Sequence, residues 1–158
     1  PVSCFSMVTS AFVETLAGFE LPAGRITVEL TESTAMANPA ETRRIMAELR
    51  RHAVTIAIDD FGTGHSSLSR LQEMSVSTLK IDRSFIANLG REQGRVLMTT
   101  MVGLAQGLGL QALAEGIETE AQLEFLRAAG CPLGQGFLWS GALPAAELEA
   151  RCLGRRAA

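Results

Sequence analysis

Two adjacent carboxylates, Asp59-Asp60, close the run Val54–Phe61 (VTIAIDDF), just ahead of the glycine-rich turn Gly62-Thr63-Gly64. Neighbouring residues on a strand face opposite ways, so both acids cannot be buried without partners, because an unpaired ionised carboxylate is too costly to bury. At the mouth of a strand the pair could bind divalent metal, one carboxylate directly and the other bridging to a second ion. Hard oxygen ligands of this kind suit Mg²⁺ or Mn²⁺. A simple turn, with aspartate as a local backbone acceptor, accounts equally well for the same residues.

Further ionisable residues end the other apolar runs. Glu29 lies between Val28 and Leu30, with Glu32 just beyond. A glutamate in that setting needs a cation or hydrogen-bond donors, and a salt bridge to arginine is the simpler account. Lys80 lies between Leu79 and Ile81. It could be a cationic partner for phosphate or metal-bound hydroxide, or form a buried ion pair with Asp59 or Glu115. Glu115 precedes Gly116, where backbone can approach a ligand closely; it could be a general base or a metal-associated carboxylate. Gln135, between Gly134 and Gly136, could anchor a water or ligand, or be a loop amide. Glu118 ends the same run as Glu115. His65 in the glycine-rich turn is the histidine to test, Phe137 and Trp139 read as barrel filling, and Asp82-Arg83 as a local ion pair or helix entry.

The elements that must position these groups alternate. Strands are predicted at Ile26–Glu32, Val54–Phe61, Thr78–Asp82, Gln111–Glu118 and Gly134–Ser140, each followed by an amphipathic or helix-entry segment. Asn38-Pro39 caps and opens one helix, Thr119-Glu120-Ala121-Gln122 makes a capping box for another, and Val96–Leu108 is stopped by Gly109. Further helices are expected over Met7–Phe19 and from Pro144, and a short one from about Ser66. Strand–helix alternation implies a parallel sheet, and the nearly continuous apolar strands imply that both faces are covered. An open flavodoxin-like sheet is the default at this length. The polar residues favour part of a (β/α)8 barrel, its last five strand–helix units, because such barrels gather their catalytic groups at the C-terminal ends of several strands.

Composition removes several function classes. The chain has 158 residues and a net charge of −3, with no basic run to suggest a nucleic-acid polymer as partner. No apolar stretch reaches the ~18 residues of a membrane span. Three scattered cysteines, Cys4, Cys131 and Cys152, and two histidines argue against a disulfide framework or a thiolate zinc site. A reducing bacterial cytoplasm fits best.

The motifs Glu29-Leu30-Thr31-Glu32-Ser33, Asp59-Asp60-Phe61-Gly62-Thr63-Gly64-His65-Ser66-Ser67-Leu68, Leu79-Lys80-Ile81-Asp82-Arg83-Ser84-Phe85, Ala114-Glu115-Gly116-Ile117-Glu118-Thr119 and Gln135-Gly136-Phe137-Leu138 follow one another in a specific order. In that order and spacing the chain resembles the EAL-domain cyclic di-GMP phosphodiesterases over nearly its whole length. The resemblance implies a (β/α)8-like barrel with two Mg²⁺ or Mn²⁺ ions that hydrolyses cyclic di-GMP to the linear pGpG, often as a homodimer. It implies Glu29 and Asp59 as ligands of the first metal, and Asp60 serving both. Lys80 would hold the nucleophilic water or its metal-bound neighbour, Glu115 would be a base beside the second metal, and Gln135 would position a water. Glu32 and the Asp60–Ser67 loop, with Gly62, Thr63 and Gly64, would couple metal binding to substrate and dimer contacts, with Glu118 anchoring that loop.

The sequence also departs from the family. The Glu-Ala-Leu signature and the asparagine that supplies a further first-metal ligand are absent, His65 replaces a commoner tyrosine, and Gly141-Ala142 replaces the usual Arg-Pro. The expectation is therefore the C-terminal portion of a single EAL domain, residues 1–158, weakly active or inactive by itself. A non-catalytic cyclic di-GMP sensor or interaction module is the alternative.

Overall fold

The computed structural model describes Phe12, Thr15, residues 22–62, Leu71 and residues 74–154. Five strands form one parallel sheet in sequential order: β1 (Thr27–Thr31), β2 (Thr55–Phe61), β3 (Thr78–Ile81), β4 (Gln111–Glu115) and β5 (Leu133–Gln135). Between and after them lie α1 (Glu32–Ala37), α2 (Pro39–Arg51), α3 (Arg83–Ala87), α4 (Glu92–Gly107), α5 (Glu120–Ala128) and α6 (Ala145–Gly154). A flavodoxin-like sheet reverses its strand order, whereas this one always steps the same way. Parallel crossovers are right-handed, so unidirectional stepping puts the helices on one face and builds a barrel wall.

That geometry corrects the expectation that both strand faces are covered. Leu30, Ile56, Ile58, Leu79, Ile81, Ala112 and Ala114 are buried in a core shared with Ile45, Met46 and Leu49 of α2 and Met98, Met101 and Val102 of α4. The alternate positions face the other way. Thr27 and Glu29, Thr55 and Ala57, Thr78 and Lys80, and Gln111 and Leu113 line a cavity of about 290 Å³ on the inner face. The apolar residues that made the strands look continuous are split between these two sides.

Local signals set several boundaries. Asn38 accepts from the Glu41 N–H with Pro39 opening α2, and both halves of the Thr119–Gln122 capping box form on α5. One short helix was not foreseen: Thr31 accepts from the Thr34 N–H to start α1. Asp82 accepts from the Ser84 N–H to start α3, the helix entry that was one reading of Asp82-Arg83, and so lies beyond the end of β3. α4 begins at Glu92, ahead of the expected Val96. β4 stops at Glu115, because Gly116 turns the chain at φ +74°. β5 ends at Gln135, short of the expected Ser140, because Gly136 packs against the Ile117 backbone with no room for a Cβ. Beyond it the Leu138 N–H donates to the Ile117 carbonyl at 2.9 Å, so the segment folds back instead of extending. Phe12 and Leu71 are helical, in line with helices over Met7–Phe19 and from about Ser66; most of both segments lies outside the described residues.

Candidate active site

Lys80 is the centre of the site. Its Nζ donates to Glu29 Oε2 on β1 at 2.6 Å and Asp59 Oδ1 on β2 at 2.9 Å, and forms an ion pair with Glu115 Oε1 on β4 at 2.7 Å. An ammonium has three N–H donors, and here each has a carboxylate. The lysine side chain is 5% exposed, because the flanking Leu79 and Ile81 are fully buried and fix β3 in the wall. Burial alone would push the Lys80 pKa down, but the hydrogen bonds to Glu115, Glu29 and Asp59 outweigh it. The net shift is upward from the ordinary lysine value, so this side chain is a fixed positive charge and not a proton acceptor. Of the two sequence readings of Lys80 the structure shows the buried ion pair, and with both Asp59 and Glu115 as partners.

A break in β2 delivers the aspartates. Pairing with β3 is regular at Ile58↔Leu79 and then shifts, resuming at Phe61↔Ile81. Asp60 adopts φ +55°, the left-handed region, and its N–H donates to Asp59 Oδ1 at 3.0 Å. A bulge of this kind suspends the strict alternation of side chains, so the opposite-face argument for Asp59-Asp60 does not apply at this strand end. Asp59 stays half-buried against Lys80, while Asp60 is exposed beside it and Phe61 returns to the core.

Glu115 has a second partner. Gln135, its register partner on β5, donates from Nε2 to Glu115 Oε1 at 2.7 Å. Glu115 is 17% exposed and therefore held by β3 and β5 together, in the arrangement expected of an oriented proton acceptor. Glycines frame it. The Cβ-less side of Gly116 is filled by Arg83, whose Cβ lies 2.6 Å from where one would sit, so the missing side chain lets Arg83 approach the backbone closely there. Gly134 lies under Ile117 and Trp139.

Glu32, 4% exposed, accepts from the Gly62 N–H at 3.1 Å and so ties the start of α1 to the turn after β2. Gly62 is at φ +92° with Met101 and Phe85 packed where a side chain would project. Thr63, Gly64 and His65 lie outside the described residues. Glu118 is exposed on a cleft of about 330 Å³ shared with Arg83, Glu115, Gln135 and Phe137. His52 is exposed, 3.6 Å from Glu48, and Cys131 is a free thiol whose pKa is raised by burial.

The structure thus brings Glu29, Asp59, Lys80, Glu115 and Gln135 together from five strands, with Asp60 alongside and Glu32 behind. The carboxylates meet on Lys80 and not on one another. Among the described residues no three His, Cys, Asp or Glu side chains are grouped to enclose a metal unaided. The donor chemistry nevertheless fits a hard divalent ion: Glu29 and Asp59 already place an oxygen each on one cationic centre, with the Asp60 carboxylate next in sequence. Two residues were under-read. Phe137 is 74% exposed and fills no barrel, and Arg83, taken for a local pair or cap, lines the cleft beside Glu115. The signal for both was their position immediately past a strand tip.

Comparison with known proteins identifies the family. The EAL domain family model matches residues 2–142. The bifunctional diguanylate cyclase/cyclic di-GMP phosphodiesterase MucR of Pseudomonas aeruginosa is 44% identical over 131 residues, 82% of this chain and 19% of that protein. The structure of its phosphodiesterase in complex with c-di-GMP superposes with a TM-score of 0.84 at 40% identity, over 92% of this chain and 59% of that one. The EAL domain of Mycobacterium smegmatis DcpA gives a TM-score of 0.86 at 36% identity, over 95% of this chain and 68% of that one. Klebsiella pneumoniae BlrP1, in a calcium/cyclic-diGMP complex, gives 0.73 at 27% identity, over 82% and 33%. Curated relatives are much longer, and the chain spans 16–26% of their length. With a family match over most of its length and a shared barrel wall, the chain belongs to the EAL domain family.

Proposed function

We propose that this chain carries the catalytic wall of a metal-dependent cyclic di-GMP phosphodiesterase, adding water across one phosphodiester of cyclic di-GMP to release the linear pGpG. The observation that carries the reading is the single ammonium of Lys80 held at 2.6–2.9 Å by carboxylates from three other strands. A structural ion pair needs one partner, whereas three acids around one cation concentrate charge at a place where phosphate and metal chemistry can use it. Glu29 and Asp59 would hold the first Mg²⁺ or Mn²⁺, and Asp60 would serve both ions. Such ions supply a lowered water pKa and neutralise charge developing on the phosphoryl oxygens. The chain's own residues then divide the work. Glu115 accepts the proton of the attacking water, Gln135 fixes the orientation of that carboxylate, and Lys80 holds Glu29, Asp59 and Glu115 aligned. Glu32, Gly62, Thr63 and Gly64, with Glu118, couple this site to substrate and to a second copy.

Residues 1–158 correspond in this reading to the C-terminal portion of one EAL domain in a cytoplasmic signalling protein, consistent with a match over 68% of the DcpA domain chain. The test is pGpG formation with Mn²⁺, by the full-length protein and by the 158-residue piece. Turnover by the former that is lost in Glu115→Gln supports the reading. Tight cyclic di-GMP binding without hydrolysis by the full-length protein would establish a sensor instead.

A further inference from the structure

The chain as a whole is acidic, with a net charge of −3, yet α2 carries Arg43, Arg44, Arg50 and Arg51 against only Glu41 and Glu48. A basic last turn complements the negative end of the helix dipole, which accounts for Arg50 and Arg51. It does not account for Arg43, about two turns earlier on the same side of the helix. Arg43, Arg50 and Arg51 line a cavity of about 500 Å³ together with Met46, Ala47 and Ser75. Small-molecule sites run from about 300 to 1,000 Å³. Met46, packed in the core beneath, and Ala47 give this one an apolar floor, while the guanidinium groups and the Ser75 hydroxyl make polar walls. Glu48 is occupied by Arg51 at 2.7 Å and His52 at 3.6 Å, and Arg43 is engaged as well. Arg50 differs: among the described residues its exposed guanidinium has neither an ion pair nor a hydrogen bond. The last turn of α2 and Ser75, just ahead of β3, lie at the N-terminal ends of the strands. That is the end of the barrel wall away from the catalytic mouth.

We propose that this cavity on the outer face of α2 is a second ligand site, which takes a small molecule carrying a phosphate on an apolar body. The planar fork of Arg50 matches two phosphate oxygens at once, and its donors are the ones left unused. Ser75 can donate to a third oxygen, and Arg43 and Arg51 add positive potential from either side. Phosphate suits the site better than carboxylate, because it brings two charges and enough oxygens for Arg50 and Ser75 together. The apolar body lies on Met46 and Ala47, where the flexible thioether adapts to its shape. The site shares no residue with the Lys80 cluster and is independent of the diesterase reading.

The test is calorimetric titration of the full-length protein, free of divalent metal, with phenyl phosphate and with inorganic phosphate. Phenyl phosphate is expected to bind the more tightly of the two. Arg50→Gln should weaken it about tenfold, the scale of one charged hydrogen-bonding partner. Arg50→Lys, which keeps the charge and loses the fork, should fall between Arg50→Gln and wild type. Arg127→Gln removes an exposed arginine from α5 and should leave binding unchanged. Equal weakening by Arg50→Gln and Arg127→Gln would reduce the effect to net charge and overturn the site. So would wild-type affinity in Arg50→Gln, inorganic phosphate binding as tightly as phenyl phosphate, or no binding of phenyl phosphate at all. Binding of an oligoglutamate peptide in place of phenyl phosphate would overturn it in favour of an acidic protein partner.

Discussion

The Glu32 carboxylate accepts the Gly62 N–H at 3.1 Å, joining the ends of two neighbouring strands across 30 residues of chain. Glu32 is nearly fully buried, and Gly62 is pinned in left-handed backbone between Met101 and Phe85. Removing the acceptor leaves a backbone donor without its partner, at a cost of about 1–3 kcal/mol. Glu32→Ala is therefore expected to loosen the turn locally, raising hydrogen exchange at the Gly62 amide, while Glu32→Gln, which keeps an acceptor oxygen, loses less. Equal exchange in wild type and Glu32→Ala would show that the contact is incidental.

Lys80→Met removes the charge and keeps the length of the side chain. Three carboxylates then lose their common donor, and the domain is expected to lose about 2 kcal/mol at neutral pH. The pH dependence follows from the raised Lys80 pKa. A folded-state pKa above the unfolded value gives stability that is complete below about 10.4, the ordinary lysine value, and fades as pH rises through the folded one. Chemical denaturation of both proteins should show a constant gap to about pH 10, closing at higher pH. A gap that widens in alkali would contradict the assignment.

Gln135→Leu takes away the Nε2 donor to Glu115 at 2.7 Å. Partners that orient a catalytic group typically contribute about 10- to 100-fold. kcat should fall by that factor with Tm nearly unchanged, because Gln135 is exposed at the end of a short strand. Wild-type turnover in this variant would remove Gln135 from the site.

Gly136→Ala should be among the most damaging single-methyl additions. The new Cβ would collide with the Ile117 backbone, which cannot swing aside as a flexible side chain can. Overpacking of this kind costs about 1–3 kcal/mol. Gly103→Ala, on the exposed face of α4 with open space around it, serves as the control and should be neutral or stabilising.

Much of this was legible in the sequence, for identifiable reasons. The convergence of Glu29, Asp59, Lys80, Glu115 and Gln135 follows from one rule, that parallel strands of a barrel end at a common mouth, once each residue is placed at a strand tip. The cap at Asn38 and the capping box at Thr119 are local chemistry and form as expected. The failures were non-local. The bulge that places Asp60 at φ +55° depends on how β2 pairs with β3, which no window of sequence contains. The early end of β5 depends on Ile117 meeting Gly136, and the exposure of Phe137 depends on that same fold-back. Arg83 looked like half of a local pair because its real neighbour, Gly116, is far along the chain.

The seating of Lys80 between two wholly buried hydrophobes has one more result. A lysine on a loop can retreat into water when its partners leave, but this one is moored by Leu79 and Ile81 in the interior. Trimming either hydrophobe, though it touches no charged group, would tilt the strand and misplace the ammonium. If the proposed function holds, loss of activity should therefore map to greasy positions under the sheet as readily as to the acids above it.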